Sequence, residues 1–246
     1  RVCLVEATGA RGLVASCVYP VNEGMEITIS SPKAVAARRA SVELLLSNHN
    51  KNCQQCEKNG KCELLHVAKV TGAREDRFIG SQTPVTVDQL TPSIIRDTSK
   101  CVLCGRCVER CKNAHGKGVL GFEKRGFNTI VAPAENRSFA NSPCILCGQC
   151  VSVCPVGALQ ERTTMVKETP LETEITETTC SYCSVGCSLL LESYGDMLIK
   201  ANPDKEGAVN KGLLCGKGKW GFDCSMLEDK LDEPLIKDEE GFREAD

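Results

Sequence analysis

Cys101-x2-Cys104-x2-Cys107-x3-Cys111, then thirty-two intervening residues, then Cys144-x2-Cys147-x2-Cys150-x3-Cys154-Pro155: this doubled run decides how the chain is read. Three thiols two residues apart on a tight loop can wrap three corners of one small inorganic cube. A fourth, after three intervening residues and where a short helix is expected to begin, points away from that loop. Gly105 and Gly148 each follow the second cysteine of a run, where the backbone must pass close to inorganic sulfide and a Cβ would crowd it. Paired C-x2-C motifs also build zinc sites, but those need only two pairs, and a doubled triple run has no zinc explanation.

The run resembles the spacing of bacterial two-cluster ferredoxins. There the first three cysteines of each run hold one [4Fe-4S] cube and the fourth ligates the other. The resemblance implies two ligand sets, Cys101, Cys104 and Cys107 with Cys154, and Cys144, Cys147 and Cys150 with Cys111. Pro155 fits the C-P ending of that pattern, whereas Lys112 after Cys111 departs from it.

Composition agrees with metal ligation. The 246 residues suffice for one or two ordinary domains. Aromatic content of 4% is thin for a single large aromatic core, and eighteen cysteines exceed what folding requires. In a chain this long, clustered C-x2-C triplets read as metal sites rather than a disulfide framework. No charged segment followed by an apolar one opens the sequence, and no run approaches roughly eighteen apolar residues. The expectation is a soluble, cytoplasmic protein without a transmembrane segment. A net charge of −2, with scattered basic residues and no interleaved aromatics, argues against nucleic acid as a partner. Neither G-x-G-x-x-G after a strand nor a Walker A motif occurs, so dinucleotide and ATP binding have no support.

The expected fold class is α+β, a string of small iron–sulfur modules: residues 1–31, 32–72, 73–162, a linker at 163–179, and 180–246. In the first module Arg1–Glu6, Leu13–Tyr19 and Met25–Ile29 read as short strands carrying Cys3 and Cys17. Alone, two cysteines in strands are ordinary buried small side chains. The stretch nevertheless resembles the end of the plant-type [2Fe-2S] domain that opens the large iron–sulfur subunit of complex I and its relatives. Cys3 and Cys17 match the third and fourth ligands there. The resemblance implies one [2Fe-2S] cluster only if two upstream cysteines exist, and the expectation is that the sequence is truncated before Arg1.

From Pro32 the period becomes helical. Pro32 suits the first helical position after Ser30-Ser31, and Val35, Arg38, Arg39, Val42, Leu45 and Leu46 recur at helical spacing. The helix is expected to end near Ser47-Asn48 and to deliver His49. Then follow His49-x3-Cys53-x2-Cys56-x5-Cys62. A lone histidine is usually structural, but three cysteines at these intervals favour a metal centre, with a His-Cys3 zinc site as the alternative. The motif matches the His-Cys3 [4Fe-4S] site of the complex I family at every ligand position. An imidazole in place of a thiolate makes such a cluster less negative, which tends to raise its potential. His66 and His115 lack such company and read as structural.

Residues 73–98 read as an irregular connection with one short strand at Val85–Val87. The insert between the cysteine runs, with its strand candidate Phe127–Ala132, is expected to form a hairpin over the clusters, and Val156–Leu159 to start a short helix. The Thr/Glu-rich 163–179 reads as a linker or an extended strand. Beyond it come Cys180-x2-Cys183-x3-Cys187-x27-Cys215 and Gly216-Lys217-Gly218-Lys219. Leu189–Glu192 and Met197–Lys200 flank a Tyr194-Gly195-Asp196 turn, a hairpin signal. A zinc ribbon is the alternative reading of these four cysteines. The pattern is similar to the [4Fe-4S] site opening the molybdopterin-type oxidoreductases, such as formate dehydrogenases. In that family a lysine two positions after the last cysteine lies between cluster and pterin. Lys217 holds that position and is a candidate electron relay, with a solvated lysine as the plain alternative. Cys224 falls outside every ligand pattern and reads as a structural thiol. The tail resembles the strip that leads into a molybdopterin domain.

Fifteen cysteines and His49 thus make sixteen ligands, four cubes of four. Nearly the whole chain resembles the iron–sulfur arm of a cytoplasmic formate dehydrogenase catalytic subunit. That resemblance implies an oxidoreductase component relaying single electrons. A molybdenum or tungsten pterin would stand in an adjoining catalytic domain or subunit. A flavin- and NAD-binding iron–sulfur subunit, a ferredoxin or a hydrogenase subunit would be the other partner. The arm of an [FeFe] hydrogenase is the runner-up, and complex I's large subunit fits less well because its middle region carries one cluster. A zinc-stabilised scaffold is the alternative from another class.

Overall fold

Two units divide the chain of this computed structural model, Arg1–Val166 and Lys167–Asp246. Residues 2–162, 172–227, 231, 233–238 and 241–245 are described. Arg1, residues 163–171 of the expected linker and parts of the tail, including Asp229, Lys230 and Asp232, lie outside the described residues.

The first unit opens with β1 (Leu4–Ala7), flanked antiparallel by β2 (Val14–Ala15) and β3 (Ile27–Thr28). All three are shorter than their sequence signals. Helix α1 (Pro32–Ser47) begins where expected, with Ser31 accepting a hydrogen bond from the Ala34 amide at 3.2 Å. It turns Ala34, Val42, Glu43 and Leu46 inward and stops at Asn48, so His49 follows directly. Helix α2 (Glu63–Thr71) follows Cys62 and ends on Gly72 in the left-handed conformation.

β4 (Val87–Asp88) falls at the end of the expected Val85–Val87 strand. β5 (Ile94–Asp97) is the centre of a three-stranded antiparallel sheet. Helix α3 (Arg106–His115) carries Cys107 and Cys111, so the fourth cysteine of the first run sits well inside a helix rather than at its start. β6 (Gly121–Glu123) and β7 (Ile130–Ala132) form the expected hairpin. Helix α4 (Gln149–Ser152) is a single turn, and β8 (Leu159–Glu161) completes the sheet. The helix expected from Val156 is a turn leading into β8. Leu159 to Glu161 pair with Arg96 to Ile94, and this tertiary pairing overrides the local signal. Ile94, Ile95, Val131, Val151, Val156 and Leu159 form the buried apolar centre between the cysteine runs.

The second unit is a three-stranded antiparallel sheet, β9 (Glu174–Thr179), β10 (Ser188–Tyr194) and β11 (Met197–Pro203), with β10 in the middle. Of the two readings of 163–179, its described second half takes the strand. The β10–β11 hairpin turns at Gly195, as expected. Helix α5 (Gly216–Trp220) follows Cys215 and packs on β11, and β12 (Leu235–Lys237) pairs with β13 (Phe242–Glu244).

Candidate iron–sulfur sites

The two ferredoxin-like loops repeat one backbone. Leu103 and Leu146 have φ of +53° and +50°, and Gly105 and Gly148 have +77° and +71°. The Leu103 amide donates to Cys101 Sγ and the Leu146 amide to Cys144 Sγ, each at 3.4 Å. Left-handed leucines are uncommon, and finding one at the same place in both loops shows a turn built to aim amides at sulfur. Glycine is required at 105 and 148 by that φ; at Gly105 a Cβ would also stand 3.3 Å from Phe122 Cζ.

Each loop closes one cavity with a cysteine from the other run. Cys101, Cys104, Cys107 and Cys154 line one cavity, of about 440 Å³ of empty space with its mouth included. Cys111, Cys144, Cys147 and Cys150 line the other, of about 410 Å³. Helix α3 makes the exchange possible: Cys107 and Cys111 are one turn apart and serve different cavities. Burial pushes the Cys101 thiol up to about 11 and Cys107 to about 12, with neighbouring thiols adding to the effect. Burial likewise raises Cys144 and Cys154, and raises Cys150 well above its ordinary value. Thiols that resist ionisation alone but crowd round a cavity form a donor set suited to an iron–sulfide core, whose cations deprotonate coordinating thiols outright. Among the described residues no three His, Cys, Asp or Glu side chains converge tightly enough to grip one ion; the thiols stand round cavities instead.

His49 is 9% exposed, and its Nδ1 is buried without a hydrogen-bond partner. Burial, and then the Lys100 charge, lower its pKa, which favours the neutral, ligating imidazole. The ring also hydrogen bonds with the Lys100 backbone, the kind of contact that orients a ligating histidine. An orphaned buried nitrogen fits a bound metal centre. Burial raises the Cys53 thiol, and Cys56 and Cys62 add to that, so the three stand within electrostatic reach of one another. This module is fastened to the first cavity. The Asn50 amide donates to Ser99 O at 2.9 Å, the Glu63 amide donates to Pro155 O at 3.0 Å, and Arg106 pairs with Glu63 at 2.6 Å. A Cβ on Gly157 would collide with Cys56 Sγ. His66 and His115 are exposed.

In the second unit the loop from Cys180 to Cys187 joins β9 to β10, and the Cys180 amide donates to Cys187 O at 2.8 Å. Asn210 draws the distant Cys215 segment to it: its Oδ1 accepts from the Ser188 amide, and its Nδ2 donates to Ser188 O and Leu213 O, all at 2.9 Å. Gly218 passes Cys180 so closely that a Cβ would lie 3.4 Å from its Sγ. Burial first, then Cys180, Cys183 and Cys215, raise the Cys187 thiol, so the four cysteines share one neighbourhood. Tyr182, inside this loop, donates to Gly221 O at 2.6 Å and lies 3.1 Å from Cys224 Sγ. Its contact with Cys224 pushes the phenol up to about 12. Lys217 is exposed, whereas Lys219 is fully buried. At the amino-terminal end, the β1–β2 hairpin holds Cys3 Sγ 3.4 Å from Cys17 Sγ.

Three families match parts of this chain. "NADH-ubiquinone oxidoreductase-G iron-sulfur binding region" matches residues 38–77, "NADH-quinone oxidoreductase subunit 3, ferredoxin-like domain" residues 91–160, and "Molybdopterin oxidoreductase Fe4S4 domain" residues 173–224. The second G-type chain of the NADH-quinone oxidoreductase of Rhizobium meliloti (strain 1021) is 34% identical over 242 residues, 96% of this chain. The chain is a relative of the iron–sulfur region of such proteins. It carries [4Fe-4S]-binding domains. NADP-reducing hydrogenase subunit HndD of Solidesulfovibrio fructosivorans is 44% identical over 161 residues, 65% of this chain. The chain spans 28% of the length of each of these two relatives. A crystal structure of NAD+-reducing [NiFe]-hydrogenase in the H2-reduced state superposes with a TM-score of 0.60 at 29% identity, over 65% of this chain and 68% of that one. Among the described residues no helix is long and apolar enough to cross a membrane.

The cysteine spacings are legible in the sequence because they are local. Arg96 and Lys100, buried near the cysteines, and Lys219, on α5 and buried against β11, are not, since nothing in their local sequence marks a basic residue as buried.

Proposed function

We propose that this chain is the electron-transfer arm of a formate dehydrogenase. It would relay single electrons between a molybdenum or tungsten pterin in an adjoining domain or subunit and a flavin- and NAD-linked or ferredoxin-type partner. The crossed cavities carry the reading: each gathers three cysteines of one run and the fourth of the other. The residues assigned to four [4Fe-4S] clusters are Cys101, Cys104, Cys107 and Cys154; Cys144, Cys147, Cys150 and Cys111; His49, Cys53, Cys56 and Cys62; and Cys180, Cys183, Cys187 and Cys215. When bound, each cluster supplies a site that takes and returns one electron. The protein's own residues fix the geometry: amides of Leu103 and Leu146 point at ligand sulfurs, and Asn210 brings Cys215 to the loop it serves. Formate as the donor is supported by the molybdopterin-type match over 173–224 and by exposed Lys217 two residues after Cys215. Cys3 and Cys17 would hold half of a [2Fe-2S] site only if two upstream cysteines exist.

The hydrogenase arm is the second reading, favoured by 44% identity to a hydrogenase subunit over 161 residues. Iron, acid-labile sulfide and zinc are to be measured on anaerobically prepared protein. About sixteen irons with matching sulfide support four cubes, and zinc without sulfide sinks the electron-relay reading in favour of a scaffold. In the intact complex, molybdenum or tungsten with bleaching by formate supports the first reading, and bleaching by hydrogen alone supports the second.

A further inference from the structure

Two cavities with matching thiol sets should hold matching clusters, but their fixed charges differ. Arg96, on β5, is 3% exposed and lines the cavity of Cys101, Cys104, Cys107 and Cys154. Its Nη1 donates to Asn136 Oδ1 at 3.1 Å and reaches Val131 O at 3.5 Å, while its Nε is buried without a hydrogen-bond partner. Among the described residues no carboxylate is ion-paired with it. Asp88, the acidic group it feels most, is engaged by the Ser138 hydroxyl at 2.7 Å and the Phe139 amide at 2.8 Å. Lys100, buried next to Cys101 in sequence but not lining this cavity, pairs with Asp97 at 3.5 Å. Among the described residues, the twin cavity is lined by no basic residues but His115 and Lys117, both exposed and screened by water, and its buried polar neighbour is the neutral Gln149.

We propose that Arg96 sets the reduction potential of the cluster held by Cys101, Cys104, Cys107 and Cys154, keeping it above that of its twin. This rests on the reading that cubes fill both cavities. A cluster gaining an electron gains negative charge, and a buried guanidinium without an ion-paired carboxylate favours that state more than a solvated cation does. The inequality would make this cube the electron-rich member of the pair and place it next to the His49 module. Arg96 acts as a potential-setting residue and is not itself a ligand.

The test is a potentiometric titration followed by electron paramagnetic resonance on the anaerobic full chain, with iron and sulfide counted in each sample. Arg96→Gln is expected to lower one cube's potential by at least a tenfold change in its oxidised-to-reduced ratio, 59 mV for a one-electron couple, with the other cubes unmoved. Asn136→Asp, which sets a carboxylate against the guanidinium with little change of shape, is expected to lower the same signal. Asn136→Ala, which removes the hydrogen bond but keeps the charge, is expected to leave it in place. Should Arg96→Gln fail to take up iron, Asn136→Asp carries the test. Full iron with unchanged potentials in the charge-removing variants overturns the inference alone, as does an equal shift in Asn136→Ala. A native chain without iron and sulfide overturns the electron-relay reading and this inference with it.

Discussion

Arg77 Nη1 lies 2.8 Å from Glu43 Oε2, and the Glu43 side chain is 1% exposed while that of Arg77 is half exposed. The Arg74 amide donates to the other oxygen at 3.2 Å. Glu43 therefore ties the middle of α1 to the segment after α2, holding together the helices on either side of the His49 ligands. Burial alone would raise its pKa; the Arg74 amide and the Arg77 guanidinium more than offset this and lower it.

A depressed carboxyl pKa contributes stability above the unfolded value, about 4.3, and loses it as pH falls through the lower folded value. Hydrogen exchange of the Arg74 amide should show this directly. At neutral pH Glu43→Gln is expected to exchange faster than the native protein, and the difference is expected to shrink once pH falls below the unfolded value of about 4.3 and to vanish only below the lowered folded value. A difference that persists unchanged into strong acid would mean that the ionised carboxylate is not what holds the clasp.

Gly157 supplies a steric test of how the His-Cys3 module is fastened. A Cβ there would meet Cys56 Sγ, and it would also lie 3.0 Å from Gln160 Nε2 and 3.4 Å from Lys100 Cδ. Gly157→Ala is expected to destabilise the first unit by about 1–3 kcal/mol through overpacking. Because Cys56 has to move, about four irons should be lost from the roughly sixteen that the proposed four cubes would contain. An alanine variant with full iron and unchanged stability would show that Cys56 and Gly157 are not in contact when the clusters are bound.

Sequence legibility follows the range of the interactions. His49 at the exit of α1 and the repeated Cys-x-Leu-Cys-Gly loops could be read because capping, helical period and thiol spacing act over a few residues. The route of residues 156–161 could not. Leu159 leaves its expected helix because Arg96, sixty-three residues earlier, offers it a strand partner. The buried cations follow the same logic, since Lys219 and Lys217 differ in position by two residues and in exposure completely. Which of them is buried depends on β11, whose Ala201 carbonyl receives the Lys219 ammonium at 2.6 Å.

The crossed ligand sets make a prediction about pairs of substitutions. Cys154→Ala combined with Cys104→Ala removes two ligands from one cavity and is expected to cost about four irons, no more than either alone. Cys154→Ala combined with Cys147→Ala strikes both cavities and is expected to cost about eight. Iron counts in the reverse order would assign each fourth cysteine to its own run.

Lys217 and Lys219 separate function from support. The Lys219 ammonium makes a buried, charge-assisted hydrogen bond to Ala201 O, and Lys219→Met is expected to destabilise the second unit by roughly 1.5–3 kcal/mol. Lys217 is exposed, so Lys217→Met is expected to leave stability within about 0.5 kcal/mol. If Lys217 carries electrons between the pterin and the Cys180 cluster, the same variant in the intact complex should slow cluster reduction by formate at least tenfold. Stopped-flow bleaching of the iron–sulfur absorbance measures this. An unchanged bleaching rate would leave Lys217 as a solvated lysine and require another route to the Cys180 cluster.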